Sequence, residues 1–154
     1  FCVLSTIGSA GTDGSPRGDL GPVVRIQDDK TLLLPDWPGN NRLDSLRNIV
    51  EDGRISLMFM VPGSDTVVRV NGQASLTTDP DLCASFLDNK GGPVCVMVIT
   101  VQEVYIQCAK SIKRAALWQT RNAPLVPSLG QILNEATDLE SGGASSGGYS
   151  AHTS

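Results

Sequence analysis

Histidine is all but missing from this chain. The only one among 154 residues, His152, lies in the stretch SGGASSGGYSAHTS (residues 141–154), whose Gly/Ser composition cannot build a core. Histidine triads and histidine-ligated metal sites therefore fall outside what the sequence leads one to expect, and no metal is expected. An enzyme made from this chain needs a cofactor to supply its chemistry. Basic charge is scarce too: 12 Lys and Arg against 16 Asp and Glu give a formal charge of -4. General nucleic-acid binding needs a basic field to displace counterions, so no nucleic-acid partner is expected, and the local basic clusters are left to serve small anions. No apolar run approaches the roughly 20 residues of a membrane helix, so no membrane partner is expected. The chain start has neither the basic n-region nor the small-residue cleavage site of a signal peptide. Cysteine is present but unpaired in sequence. Cys2, Cys83, Cys95 and Cys108 form no CxxC, which suggests neither a zinc site nor a redox dithiol. Cys2, Cys95 and Cys108 sit in apolar segments and read as reduced, buried thiols, as a reducing cytoplasm would keep them.

What is there reads as strands with short helices between them. FCVLSTI (residues 1–7), a segment within residues 17–26 and residues 31–35 look like three strands of a meander, with Asp13-Gly14 and Asp28-Asp29 as turns. Leu43, Leu46, Ile49 and Val50 follow at helical spacing, and Asp52-Gly53 stops that helix. RISLMFMV (54–61) is apolar on both faces, as a central strand is, and residues 66–76 alternate like a strand with one wet face. Thr78 is the expected N-cap of a short helix with Pro80 in its first turn. VCVMVITVQEVYIQ (94–107) reads as one long strand or two joined by a bend; residues 108–119 turn helical, and residues 129–139 form a further amphipathic helix. Some six strands with two or three helices between them predict a mainly β fold, an antiparallel barrel with helical plugs. The chain divides into a domain at 1–120, a helical extension at 121–140 and a flexible tail at 141–154.

Three clusters have chemical content. In DWPGNNRLDSLRN (36–48), Asn41 can act as N-cap with Arg42, Leu43 and Asp44 in the first turn. The free N–H groups there and the Arg42 guanidinium make an anion site. The same residues also read as a plain capped helix with Asp44 reaching back. In SPRGDLG (15–21), Gly18 and Gly21 mark a bulge or a close ligand approach, with Arg17 and Asp19 on one face. A solvated, salt-bridged edge fits equally. In CAKSIKRAALW (108–118), a helix would put Lys110, Arg114 and Trp118 on one stripe, which can cover a flat ring or be an ordinary surface face.

SPRGD, PGNNRLDSLRNI (38–49, unbroken), RVNG and CAK…R…LW, in this order, resemble the flavin-binding split barrels of the pyridoxamine 5′-phosphate oxidase-like superfamily, and within it a bacterial subgroup with the PGNNRLDSLRNI motif. The resemblance implies a six-stranded antiparallel split β-barrel that forms a homodimer, with FMN between the subunits. It implies that Asn41 and Arg42 hold the FMN phosphate and that Asn40 shapes the turn. Pro35 and Asp36 would face the ribityl chain or ring, Arg17, Gly18 and Asp19 would line the strand beneath the ring, and Lys110 and Trp118 would reach the flavin from the C-terminal side. Val67 stands where similar sequences carry a Thr or Gln able to bond the cofactor. The helical segment that precedes the first strand in that group is not in this sequence, and part of the dimer contact or site cover is expected to go with it.

The implied function is FMN-mediated hydride or electron transfer on a small molecule in the cytoplasm, with no catalytic proton donor assignable. KRAALW stands where true pyridoxamine phosphate oxidases carry an arrangement like RLHDR, so that substrate is not expected. Two alternatives stay open: a flavin-binding or flavin-storing protein without turnover, and a split-barrel relative using F420 or haem.

Overall fold

A computed structural model describes residues 1–39, 43–89, 91–119 and 127–142, the last five of these without their side chains. Two compact units divide the chain, Phe1–Trp118 and Gln119–Ser154. Within the described part of the second lies one helix, α4 (Leu129–Gly142). The first unit is built on a single antiparallel sheet. Its elements are β1 (Cys2–Gly8), β2 (Gly11–Arg17), β3 (Arg25–Asp28), β4 (Thr31–Asp36), α1 (Asp44–Glu51), β5 (Arg54–Met60), β6 (Val67–Thr77), α2 (Pro80–Ala84), β7 (Cys95–Gln107) and α3 (Lys110–Ala115). The strands lie in the order β2-β1-β5-β6-β7-β4-β3. The fold is mainly β, with the architecture of a split barrel.

β7 is the strap between the two halves. Its first residues pair with both β6 and β4, whereas past Val101, which bonds Lys30, β6 is the one strand paired with it among the described residues. The ladder shifts register between Asn71 and Gly72, a bulge that bends the long strand. Gly72 is required there, because a Cβ would run into the Thr100 carbonyl. The barrel interior holds Cys2, Leu4, Leu34, Leu57, Met97 and Ile99, all nearly or fully buried. Four strands separate β2 from β4 in the sheet, yet Arg17 at the end of β2 bonds Asp36 at the end of β4. The sheet has therefore curled until these two strand ends meet.

Several local expectations shift. The strand expected within residues 17–26 is instead two strands, β2 and β3, separated by a loop at 18–24. GTDGSPR has weak strand propensity, but a tight Gly8–Gly11 hairpin lays it against β1, and as the edge strand β2 tolerates Pro16. Gly18 and Gly21 consequently lie past the strand rather than inside it. α1 starts at Asp44, with Leu43 as N-cap and no side-chain cap; the expected cap Asn41 and the Arg42 placed after it lie outside the described residues. Asp79, not Thr78, caps α2 by accepting from the Leu82 N–H at 2.8 Å. The long strand is one strand.

α1 buries two polar residues beside the expected Ile49, with Leu46 packed against the core. Ser45, Asn48 and Ile49 are buried, whereas Leu43 and Val50 are exposed. The reason is the surface beneath it: the β1–β2 hairpin offers hydroxyl and carboxylate partners. Ser45 donates to Asp13 Oδ2 at 2.5 Å, Asn48 to Thr6 Oγ1 at 3.0 Å, and Ser9 donates its N–H and hydroxyl to Glu51 at 2.8 and 2.9 Å.

Candidate functional site

A cleft of about 580 Å³ opens where β2, the end of β4 and the start of α1 converge. It is lined by residues 13–17, 36–39, 43–46 and Val94. Its size falls in the range of roughly 300–1,000 Å³ typical of small-molecule and cofactor sites. Asp13, Ser15 and Arg17 alternate along β2 and are its more buried residues, so this period of two aims one polar row into the cleft.

The row has two anchored ends. At one, Asp13 accepts the Ser45 hydroxyl and so holds the first turn of α1 against the sheet. Its N-cap residue, Leu43, gives no side-chain cap, and the turn carries the Asp44 carboxylate, which lines the cleft together with Asp13. At the other end, four residues or ~13 Å further along the strand, Arg17 Nη1 donates to Asp36 Oδ1 at 2.5 Å, with the two side chains 19% and 15% exposed. Arg17 Nε is buried and has no hydrogen-bond partner. Buried donors are nearly always satisfied, so an orphan in a cleft wall is a place where a ligand acceptor fits. Trp37 adds an aromatic wall, and Pro38 and Gly39 carry the chain toward residues 40–42. Two thiols lie on the strands next to the ion pair: Cys2 is opposite Arg17 and Cys95 opposite Asp36 in the sheet register. Burial pushes both thiols up, and at Cys95 the Asp36 charge adds to the effect. They are held as inert thiols.

The residues singled out in the sequence scatter accordingly. Arg17 and Asp36 meet in the cleft wall, and Pro35 precedes Asp36 in β4, opposite Val96. Gly18 and Asp19 lie just past β2, both exposed, and Asp19 accepts the Leu20 N–H at 2.6 Å. Asn40, Asn41 and Arg42 fall outside the described residues. Lys110 is exposed at the start of α3 and does not line the cleft. Trp118 leaves the expected stripe, because α3 ends at Ala115 and Ala116 turns left-handed at φ 48°. Its indole Nε1 donates instead to the Ser64 carbonyl at 2.6 Å, beside a Lys113–Asp65 ion pair. Val67 is buried at the start of β6, outside the core cluster, and does not line the cleft. Asp13 and Ser45 were not singled out. The alternation D-x-S-x-R was the available signal, obscured because Asp13-Gly14 also reads as a turn. Among the described residues no three His, Cys, Asp or Glu side chains are grouped to hold a metal, and no helix is long and apolar enough to cross a membrane.

Comparison with solved structures finds the same fold. HupZ of Group A Streptococcus superposes with a TM-score of 0.55 at 22% identity over 68% of this chain and 82% of its own. A putative pyridoxamine 5′-phosphate oxidase of Lactobacillus delbrueckii gives 0.52 at 22% identity over 68% and 82%. An FMN-binding protein of Syntrophomonas wolfei gives 0.55 at 16% identity over 68% and 75%. No curated protein matches in sequence. The family model described as pyridoxamine 5′-phosphate oxidase matches residues 1–108, which takes in the whole sheet and the cleft. This chain belongs to the pyridoxamine 5′-phosphate oxidase family.

Proposed function

We propose that the cleft binds FMN, with the phosphate at the first turn of α1, and that the protein is an FMN-dependent oxidoreductase acting on a small molecule. One observation carries this reading: a single cleft of cofactor size joins a helix start without a side-chain cap to an arginine whose buried Nε lacks an acceptor. The likeness to an FMN-binding protein supports it. Asn41 and Arg42 hold the phosphate in this reading, and Asn40 shapes the turn. Pro35 and Asp36 form the wall at the end of β4; Arg17, Gly18 and Asp19 form the side under the ring. Bound FMN would supply hydride or electron transfer, while the chain's residues orient it and set the charge around it.

The finer parts of the reading go together. The chain is a cytoplasmic protein of the bacterial subgroup marked by PGNNRLDSLRNI, with a flavin domain at 1–120, a helical extension at 121–140 and a flexible tail at 141–154. It forms a homodimer with FMN between subunits, Lys110 and Trp118 reaching the cofactor of the partner. The dimer is supported by β7: its half past Val101 has one paired strand among the described residues, and there Val104 and Ile106 are 59% and 74% exposed. Apolar surface of that kind on an open edge favours a partner.

The visible spectrum of the purified protein, recorded before and after adding FMN, tests the reading. Uptake with sharpened flavin bands, lost in Arg42→Ala, supports it; no uptake refutes it. Reduced flavin that reacts only with oxygen would move the assignment to a flavin-storing protein.

A further inference from the structure

The Arg17–Asp36 pair lets the site be taken one step further, on the basis of the FMN reading. An arginine meant only to attract a second anion would be left unpaired. Here its charge is cancelled by a carboxylate 2.5 Å away, while its Nε stays buried without an acceptor. Both residues line the cleft. The combination retains a directed hydrogen-bond donor and removes the net charge. At the other end of β2, ~13 Å away along the strand, the first turn of α1 has no side-chain cap, and Asp13 and Asp44 both line the cleft there.

We propose that Asp36 is a charge-masking, positioning residue. It fixes Arg17 in the wall and neutralises it, so this end of the cleft accepts a neutral carbonyl edge of a heteroaromatic ring rather than a second anion. The ligand class is a planar ring with hydrogen-bond-accepting carbonyls at one end and a single phosphate at the other. The masking also sets redox preference. Reduced FMN carries one more negative charge than oxidised FMN at neutral pH, and a masked arginine stabilises that charge less than a bare one.

The test is a charge cycle at the pair, using full-length protein loaded with FMN. The midpoint potential and the dissociation constants of oxidised and reduced FMN are measured for wild type, Asp36→Asn, Arg17→Gln and the double variant. Asp36→Asn uncovers a positive charge, and the preference for reduced over oxidised FMN rises on the order of tenfold, seen as a higher potential. Arg17→Gln uncovers a negative charge and shifts the preference the opposite way by a similar factor. The double variant is neutral again and returns to within about threefold of wild type. A purely structural role for the pair predicts instead that both single variants move in the same direction; that result, or no shift in either with FMN still bound, overturns the proposal. Should Asp36→Asn fail to fold, Arg17→Gln against the double variant makes the same comparison. A wild-type protein that takes up no FMN overturns the FMN reading and this inference together, whereas bound FMN with a flat cycle overturns the inference alone.

Discussion

Ser45 is the point where fold and site are most tightly joined, and removing its hydroxyl has a calculable cost. The side chain is 4% exposed and donates to a carboxylate oxygen of Asp13 at 2.5 Å, tying the first turn of α1 to the edge strand β2. A hydrogen bond to a charged partner contributes about 1.5–3 kcal/mol, and leaving a half-buried acceptor without its donor falls in the same range. Ser45→Ala is therefore expected to lose about 1.5–3 kcal/mol in urea denaturation. In a unit of this size that is a fall of roughly 6–12 °C in Tm. Asp13→Ala should cost a similar amount by stranding the buried hydroxyl, and the double variant should cost little more than either single one. The coupling energy of the cycle then comes to about 1.5–3 kcal/mol. Because α1 carries the proposed phosphate turn, FMN affinity should fall in both single variants. Additive losses, or a Ser45→Ala protein within about 0.5 kcal/mol of wild type, would refute the view that this bond rather than a local cap holds the start of α1.

Trp37 lines the cleft, while Trp118 is tied to Ser64; FMN should quench Trp37 emission, so Trp118→Phe keeps the quenching and Trp37→Phe abolishes it. Gly72→Ala drives a Cβ into the Thr100 carbonyl, and as that neighbour is backbone the expected loss is about 1–3 kcal/mol by urea melt. Ile106 is 74% exposed on the open half of β7, so Ile106→Asp should leave the barrel folded and reduce the light-scattering mass from two chains to one. The Glu51 carboxyl is held below its ordinary value chiefly by the Ser9 backbone N–H, then by the Ser9 hydroxyl. A depressed carboxylate stabilises the fold above its unfolded pKa and loses that effect as pH falls through the folded one. Stability of the wild type should accordingly drop more between about pH 7 and pH 3 than that of Glu51→Gln, as measured by denaturant midpoints.

Much of the fold was written in local pattern. The apolar run at 54–60 is β5, the alternation from Val67 is β6, and the Val/Ile-rich stretch from Cys95 is the strap β7, because side chains on a pleated strand sort themselves by a period of two wherever one face is buried. Helix ends were less legible. Asp79 displaced Thr78 as cap of α2, since neighbouring polar residues compete for one cap and the winner is set by where the chain must enter, and α1 begins behind Leu43, which has no polar side chain to cap with. The stripe of Lys110, Arg114 and Trp118 failed for a tertiary reason: the Ser64 carbonyl captures the indole, and the backbone turns left-handed at Ala116 to deliver it.

The candidate site divides along the same line. Sequence alone determined its chemical vocabulary: no histidine in the core, one polar turn from Asp36 to Asn48, and an arginine in SPRGD. Composition and short-range spacing carry that information because they decide which groups exist and which share a face. Only the tertiary structure decided that Asp36 neutralises Arg17, that Asp13 grips Ser45, and that α1 buries Ser45 and Asn48 beside Ile49. Those contacts join residues 19 and 32 positions apart, and they form because the curled sheet brings the two strand ends together, which no local propensity encodes.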